Sequence, residues 1–269
     1  MSNLIYQVWS GTLTEECRVS SRLMQEYASR IDAEYILDID PNIASKICDV
    51  PKYFEWLNPI LDDRFLKYDK ILSVDLDVFP VEGLTESIFD QDIGDIGVCA
   101  EKFQGISRAT TTVAGCINKE NDERWARVVN EKWSANFPRD NQGHLKIYNA
   151  GVVVFSREGI LKAKKWIPFQ QYINYIRTHG FGRFYWVDQN YLHAMLCTDK
   201  TLKYVEMPNT WNSQIHYVRG PLTAAYGKVN DERTAETKFV HVQMSGMNWN
   251  EEGLYQIVNL PQEKWRFKY

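Results

Sequence analysis

Short apolar runs alternate with amphipathic stretches through the first hundred residues. Residues 4–9 form an apolar run that ends in Ser10-Gly11-Thr12. From about residue 14 to residue 30, Val19, Leu23, Met24 and Tyr27 recur at helical spacing. A second strand is predicted over 34–39. Strand, helix and strand at the start of the chain predict a Rossmann-like α/β half, with a nucleotide lying over the strand ends. No G-x-G-x-x-G or Walker loop follows the first strand, so neither a dinucleotide nor an NTP of the usual kind is implied. Residues 54–66, after Pro51, read as a helix that leads into a strand over 70–74, and 95–100 is a further short strand.

Farther along, 105–121 and 134–145 are rich in Ser, Thr, Asn and Gly and read as loops around a helix at 122–133. Residues 146–155 make a strand that carries Asn149-Ala150-Gly151, and 157–179 is helical with an interruption near Pro168. A helix at 186–196 follows, then strands at 202–206, 215–218 and 238–243 and an aromatic, basic tail. Without a repeat, linker or low-complexity tract, a single domain over 1–269 is expected. The nucleotide-type half covers about 1–100, and a second half covers about 101–269.

Composition narrows the partners. The 269 residues carry a net charge of −4 and no long Lys/Arg run, which argues against a nucleic-acid footprint and favours a small-molecule or sugar-phosphate partner. The five cysteines (Cys17, Cys48, Cys99, Cys116 and Cys197) are odd in number and form no C-x-x-C pair. They indicate neither a disulfide framework nor a zinc site, and they suit a reducing compartment. The N-terminus has no basic n-region, and no segment reaches the roughly 20 apolar residues of a membrane helix, so a soluble, cytoplasmic chain without a transmembrane segment is expected. Nine Trp and fifteen Tyr exceed ordinary core needs, and such rings can also serve as flat platforms for sugars.

The strand at 70–74 runs into Asp75-Leu76-Asp77. If strand alternation continues, Asp75 and Asp77 fall on one side and Leu76 on the other. Two converging carboxylates suit Mg2+ or Mn2+, which in turn can grip a diphosphate. A strand end followed by a turn would also look like this. His241, on the late strand, is a structural residue or a further ligand; an imidazole suits Mn2+ better than Mg2+. Asp188-Gln189 opens a helix, where the carboxylate either complements the helix N-terminus or acts at the reacting carbon, as an acceptor base or on sugar hydroxyls. Gly151 marks a bulge, close packing or a binding position.

Taken in order, Asp75-Leu76-Asp77, Asn149-Ala150-Gly151, Asp188-Gln189 and His241 behind a nucleotide-type half resemble the GT-A-fold glycosyltransferases. The resemblance is in particular to the glycogenin-like and bacterial galactosyltransferase-like group, family 8. The resemblance implies a GT-A domain with a mixed central sheet flanked by helices. It implies Mn2+, with Mg2+ as the alternative, held by Asp75, Asp77 and His241. Gln7, Val8 and Trp9 would contact the nucleotide, with Leu76 and Gly246 also at the donor. Asn149, Gly151, Asp188 and Gln189 would line the donor sugar and acceptor. The donor would be a UDP-sugar and the acceptor a hydroxyl of a glycan or glycoprotein, with the metal acting as a Lewis acid on the leaving diphosphate.

Two departures stand out. The family follows its late His with H-x-x-G-x-x-K-P-W, whereas His241 is followed by Val242-Gln243-Met244-Ser245-Gly246-Met247-Asn248-Trp249, without the lysine that helps hold the diphosphate. The D-Q-D of many members is Asp188-Gln189-Asn190 here. Arg64, Lys102, Arg108 and Lys228 are the candidates for the missing positive charge. Two other readings compete. One is a haloacid-dehalogenase-type phosphatase with Asp75 as nucleophile, a motif usually carried on the first strand. The other is a non-catalytic carbohydrate-binding protein.

Overall fold

The computed structural model describes residues 2–101, 118–217, 229–243 and 249–266. The chain opens with strand β1 (Asn3–Trp9), helix α1 (Glu15–Arg30) and strand β2 (Glu34–Ile39). Thr14 caps α1 by accepting from the Cys17 amide at 3.2 Å, and Glu15 and Glu16 complement the helix dipole in its first turn. Strands β3 (Lys70–Val74), β4 (Val78–Pro80) and β5 (Ile96–Ala100) follow.

The expected helix over 54–66 is a correction: only the single turn α2 (Asn58–Leu61) is α-helical there, flanked by 3-10 turns. The reason is packing. Phe54, Trp56, Leu57, Ile60 and Phe65 are all buried, so no polar face remains for a regular helix to turn outward, and Pro59 removes an amide from its middle.

Helix α3 (Lys119–Trp133) precedes strand β6 (Tyr148–Ser156). The long helical stretch beyond it divides near Pro168 as anticipated, into α4 (Arg157–Ala163) and α5 (Phe169–Thr178). A one-turn α6 (Arg183–Trp186) and helix α7 (Asp188–Thr198) lead to strands β7 (Tyr204–Met207), β8 (Ser213–Tyr217), β9 (Val229–Asp231) and β10 (Phe239–Gln243). Helix α8 (Glu251–Asn259) ends the regular structure, in a stretch expected to be loop-rich. No described helix is long and apolar enough to cross a membrane.

These strands form a mixed sheet in the order β2-β1-β3-β6-β5-β7 and a smaller sheet in the order β4-β10-β8-β9. In the large sheet β6 runs antiparallel to β3 and β5, whereas β1 pairs in parallel with β2 and β3. Strand β6 is buried along nearly its whole length, as a continuous apolar run in the middle of a covered sheet must be. Trp125, Tyr172, Tyr191 and Phe155 pack on one side of this sheet, and Met24 and Tyr27 of α1 on the other. Most of the surplus aromatics therefore fill the core.

The acidic turn is one of the places where the chain passes from one sheet to the other. β3 belongs to the first and β4 to the second, and Asp75-Leu76-Asp77 is the turn between them. Because β4 pairs with β10, placing His241 opposite Val78, the late strand is brought to the acidic turn.

Candidate active site

The acidic pair converges through this turn rather than through strand alternation, a correction to the geometry expected from the sequence. The Val78 amide donates back to the Asp75 carbonyl at 3.2 Å, and the Val242 amide donates to the Asp77 carbonyl at 2.8 Å. Gln7 braces the turn from beneath: its Nε2 donates to the Asp75 carbonyl at 3.1 Å and to Ser20 Oγ at 3.2 Å, while its Oε1 accepts from Tyr35 Oη at 2.8 Å. Ser20 Oγ donates to the Val78 carbonyl at 2.8 Å. Gln7 is fully buried and faces the turn, whereas Val8 and Trp9 line the cleft.

One oxygen of Asp75, one of Asp77 and one ring nitrogen of His241 lie within 4.8 Å of one another. The His241 ring is held by a run of amides. Its Nδ1 lies 3.1 Å from Asn212 Oδ1; Asn212 Nδ2 donates to Asn149 Oδ1 at 2.9 Å; Asn149 Nδ2 donates to Gln189 Oε1 at 3.3 Å; and Gln189 Nε2 donates to Glu101 Oε2 at 3.0 Å. The carboxylate at the end accepts only, so every amide upstream is oriented, and the imidazole donates from Nδ1. Its Nε2 lies 3.1 Å from Asp77 Oδ1 and 3.4 Å from Gln243 Nε2. That oxygen is buried and has no hydrogen-bond donor among the described residues.

A ring nitrogen this close to a carboxylate oxygen is stable only with a proton or a cation between them. The donor set, two carboxylates and an imidazole whose other nitrogen is tied to an amide oxygen, fits a divalent cation such as Mn2+. Burial would lower the pKa of His241, but Asp77 and Asp75 raise it above the ordinary value. Asp75 is pushed up to about 8 by burial and by Asp77, with His241 opposing.

Asn149 and Gly151 have architectural reasons to be what they are. The register between β5 and β6 jumps, with Val98 opposite Val153 but Cys99 opposite Asn149, leaving Ala150, Gly151 and Val152 as a bulge. The Gly151 amide donates to Asn149 Oδ1 at 2.8 Å and its carbonyl accepts from the Asp75 amide at 2.9 Å. A Cβ at Gly151 would sit 2.5 Å from His241 Cε1 and 2.9 Å from Asn149 Oδ1. Gly151→Ala is therefore expected to displace the imidazole, lowering thermal stability by about 1–3 kcal/mol and weakening Mn2+ binding by about 10–100-fold. Denaturant melts and isothermal titration with Mn2+ check both effects.

A cleft of about 800 Å³ opens beside this cluster. Trp9, Tyr53 and Trp56 give it aromatic walls, and Leu76 and the carboxylates of Asp75, Asp77 and Asp188 are also in its lining. Asp188 accepts from Trp56 Nε1 at 2.8 Å, and burial lifts its pKa to about 6 despite that bond. Glu16 also faces the cleft, raised to about 7 by burial and by Asp77.

Arg64, one of the candidate cations, is engaged by Asp38 and Asp62 and does not line the cleft. Among the described residues, Lys52 is the one lysine or arginine in the cleft wall, and no motif marks it in the sequence. Lys102, Arg108, Lys228 and Gly246 lie outside the described residues. Sequence reasoning also missed Asn212 and Glu101, since a single Asn before a strand or Glu after one has no distinctive spacing.

The mixed sheet, the antiparallel β6 and the acidic turn joining two sheets make this the GT-A glycosyltransferase fold. Solved structures share it. The galactosyltransferase LgtC, in complex with donor and acceptor sugar analogs, superposes with a TM-score of 0.55 over 97% of this chain and 98% of its own, at 13% identity. The bifunctional glycosyltransferase WbbM gives 0.53 over 91% of this chain at 12% identity, and this chain spans 46% of its length. Mouse xyloside xylosyltransferase 1 gives 0.50 over 90% of this chain and 97% of its own, at 11% identity. No protein-family model and no curated protein sequence matches the chain.

Proposed function

We propose that the protein transfers a sugar from a nucleoside-diphosphate sugar, UDP-sugar first, to a hydroxyl of a glycan or glycoprotein. Asp75, Asp77 and His241 would hold Mn2+, with Mg2+ as the alternative. The observation that carries the reading is the convergence of Asp75, Asp77 and His241, with the enclosed Asp77 Oδ1 3.1 Å from His241 Nε2, on a GT-A frame. When bound, the cation supplies positive charge to the departing diphosphate.

The chain's own residues divide the remaining work. Val8 and Trp9 at the end of β1, with Tyr53, offer apolar area for the base and ribose, and Lys52 is the described cation in the cleft wall. Asp188, held by Trp56, carries a carboxylate whose pKa near 6 suits it to bind a sugar hydroxyl or take the acceptor's proton near neutral pH. Gln189 would act from the same helix start, with its amide already oriented by Asn149 and Glu101. The phosphatase reading loses support, since its motif belongs on a first strand and this one follows β3 on a GT-A frame.

The test is thermal stabilisation and product release with a panel of UDP-, GDP- and dTDP-sugars, in Mn2+ and in EDTA. One nucleotide sugar should raise the melting temperature only with metal and be turned over to its nucleoside diphosphate. Stabilisation by none of them, together with phosphate release from a simple phosphomonoester, would overturn the reading.

A further inference from the structure

Residues four apart on a helix share a face, so Glu16, Ser20 and Met24 of α1 point the same way. That way is inward. Ser20 and Met24 are buried, and Ser20 Oγ donates to the carbonyl of Val78, the residue after Asp77. Glu16 thus takes the first turn of the inward face, where it is half-buried and lines the cleft. Its neighbour Glu15 turns outward to Arg18, at 3.7 Å.

The helix does not need a carboxylate at Glu16. Thr14 already caps it, and Glu15 supplies negative charge to its first turn from the solvent side. The Glu16 side chain makes no hydrogen bond or ion pair among the described residues, and the charge that acts on it is that of Asp77, of the same sign. An unpaired carboxylate on the inward face of an amphipathic helix breaks the pattern that folds the helix, and such breaks gather at functional sites.

The layout of a sugar nucleotide says which part Glu16 meets. Asp188, assigned above to the sugar and acceptor, acts electrostatically on Asp75, whereas Glu16 is coupled to Asp77. The two carboxylates therefore attend different members of the acidic pair. With the diphosphate on a cation between them, the sugar lies on one side and the ribose on the other. Glu16 also shares its side with Trp9: both line the cleft and flank the turn over 10–14, which Trp9 Nε1 holds by donating to the Thr12 carbonyl at 3.1 Å.

We propose that Glu16 is a specificity-determining residue whose carboxylate accepts from the ribose hydroxyls, so that the donor is a ribonucleotide sugar and dTDP-sugars are disfavoured. This rests on the function proposed above and deepens it. A carboxylate only accepts, which excludes the diphosphate. A uracil edge sets a carbonyl on each side of its one N–H and would repel the second oxygen. A guanine edge offers two donors, but it lies one ring farther than the ribose from the metal that Asp77 would hold. The vicinal ribose hydroxyls offer two donors side by side, directly beyond the diphosphate.

The experiment titrates wild type and Glu16→Leu, in Mn2+, with UDP, 2′-deoxy-UDP, 3′-deoxy-UDP, GDP and the UDP-sugar that binds best. Wild type should prefer UDP to each deoxy form by about tenfold or more, and Glu16→Leu should bring that ratio to within about threefold. In EDTA the variant should melt no lower than wild type, because an unpaired carboxylate beside Asp77 has been removed. An unchanged UDP to deoxy-UDP ratio in the variant overturns the inference. Should that unchanged ratio come with a lower melting temperature, Glu16 is structural; with a shifted choice between GDP and UDP, it reads the base; with a changed gain from the sugar, it belongs to the sugar. Wild type that binds UDP and both deoxy forms equally overturns this inference alone, even if the variant does not fold. Wild type that binds no nucleotide or nucleotide sugar overturns the proposed function itself.

Discussion

Asp77→Asn is expected to lower Mn2+-dependent turnover of the nucleotide sugar by about 10³-fold, equivalent to about 4 kcal/mol of barrier, while the protein stays folded. Asparagine keeps the shape of the side chain and removes the charge. The oxygen that it replaces lies 3.1 Å from His241 Nε2. The new amide can instead donate to that ring nitrogen, so the variant without metal should melt no lower than wild type. A loss of activity with intact or improved stability separates a ligand from a structural carboxylate, whose removal would reduce both. Product release measured against Mn2+ concentration, with melting curves in EDTA, reads the two quantities. Turnover within about tenfold of wild type at saturating Mn2+ would sink the assignment of Asp77 as a ligand.

Why Asp75 and Asp77 stood out in the sequence while their partners did not follows from how each is positioned. The acidic pair follows a five-residue apolar strand, a local pattern, and that strand is where it was expected. His241 reaches the pair only because β4, three residues long and ending in Pro80, pairs with β10 directly after the turn. So short a strand, closed by a proline, has almost no periodic signal. Gln7 was expected to touch the nucleotide because it lies on the first strand. Alternation turns it inward, where it supports the turn that presents Asp75.

Asn212 acts on the His241 ring through a relay with three further side chains, Asn149, Gln189 and Glu101, and so through tertiary structure alone. Helix α8 is different, since its signal was present. Asn250 caps it by accepting from the Gly253 amide at 2.8 Å, and Leu254, Ile257 and Val258 recur at helical spacing and are buried. The helix expected over 54–66 failed for the opposite reason, because local propensity yielded to the burial of its aromatics on several sides.

Without metal, the protein is expected to lose stability as pH rises from about 5.5 to 8.5, with its melting temperature falling by at least about 5 °C. The usual carboxylate does the reverse. Asp75, whose ordinary value is 3.8, is raised to about 8 by burial and by Asp77. Between those two values the folded chain holds a proton that the unfolded chain has released, so its stabilising contribution is complete below about 4 and is lost as pH climbs through about 8. Asp188, raised to about 6, and Glu16, raised to about 7, add the same sign. His241, raised above its ordinary value, also favours the folded state at lower pH.

Mn2+ competes with these protons, so the stabilisation that it gives should grow with pH across the same window. Asp75→Asn should remove much of the metal-free slope. Asp77→Asn should remove only part of it, because burial, the larger cause of the Asp75 shift, remains. Melting temperatures in EDTA and in Mn2+ across the pH range test the account, and a metal-free melting temperature that stays level or rises with pH would contradict it.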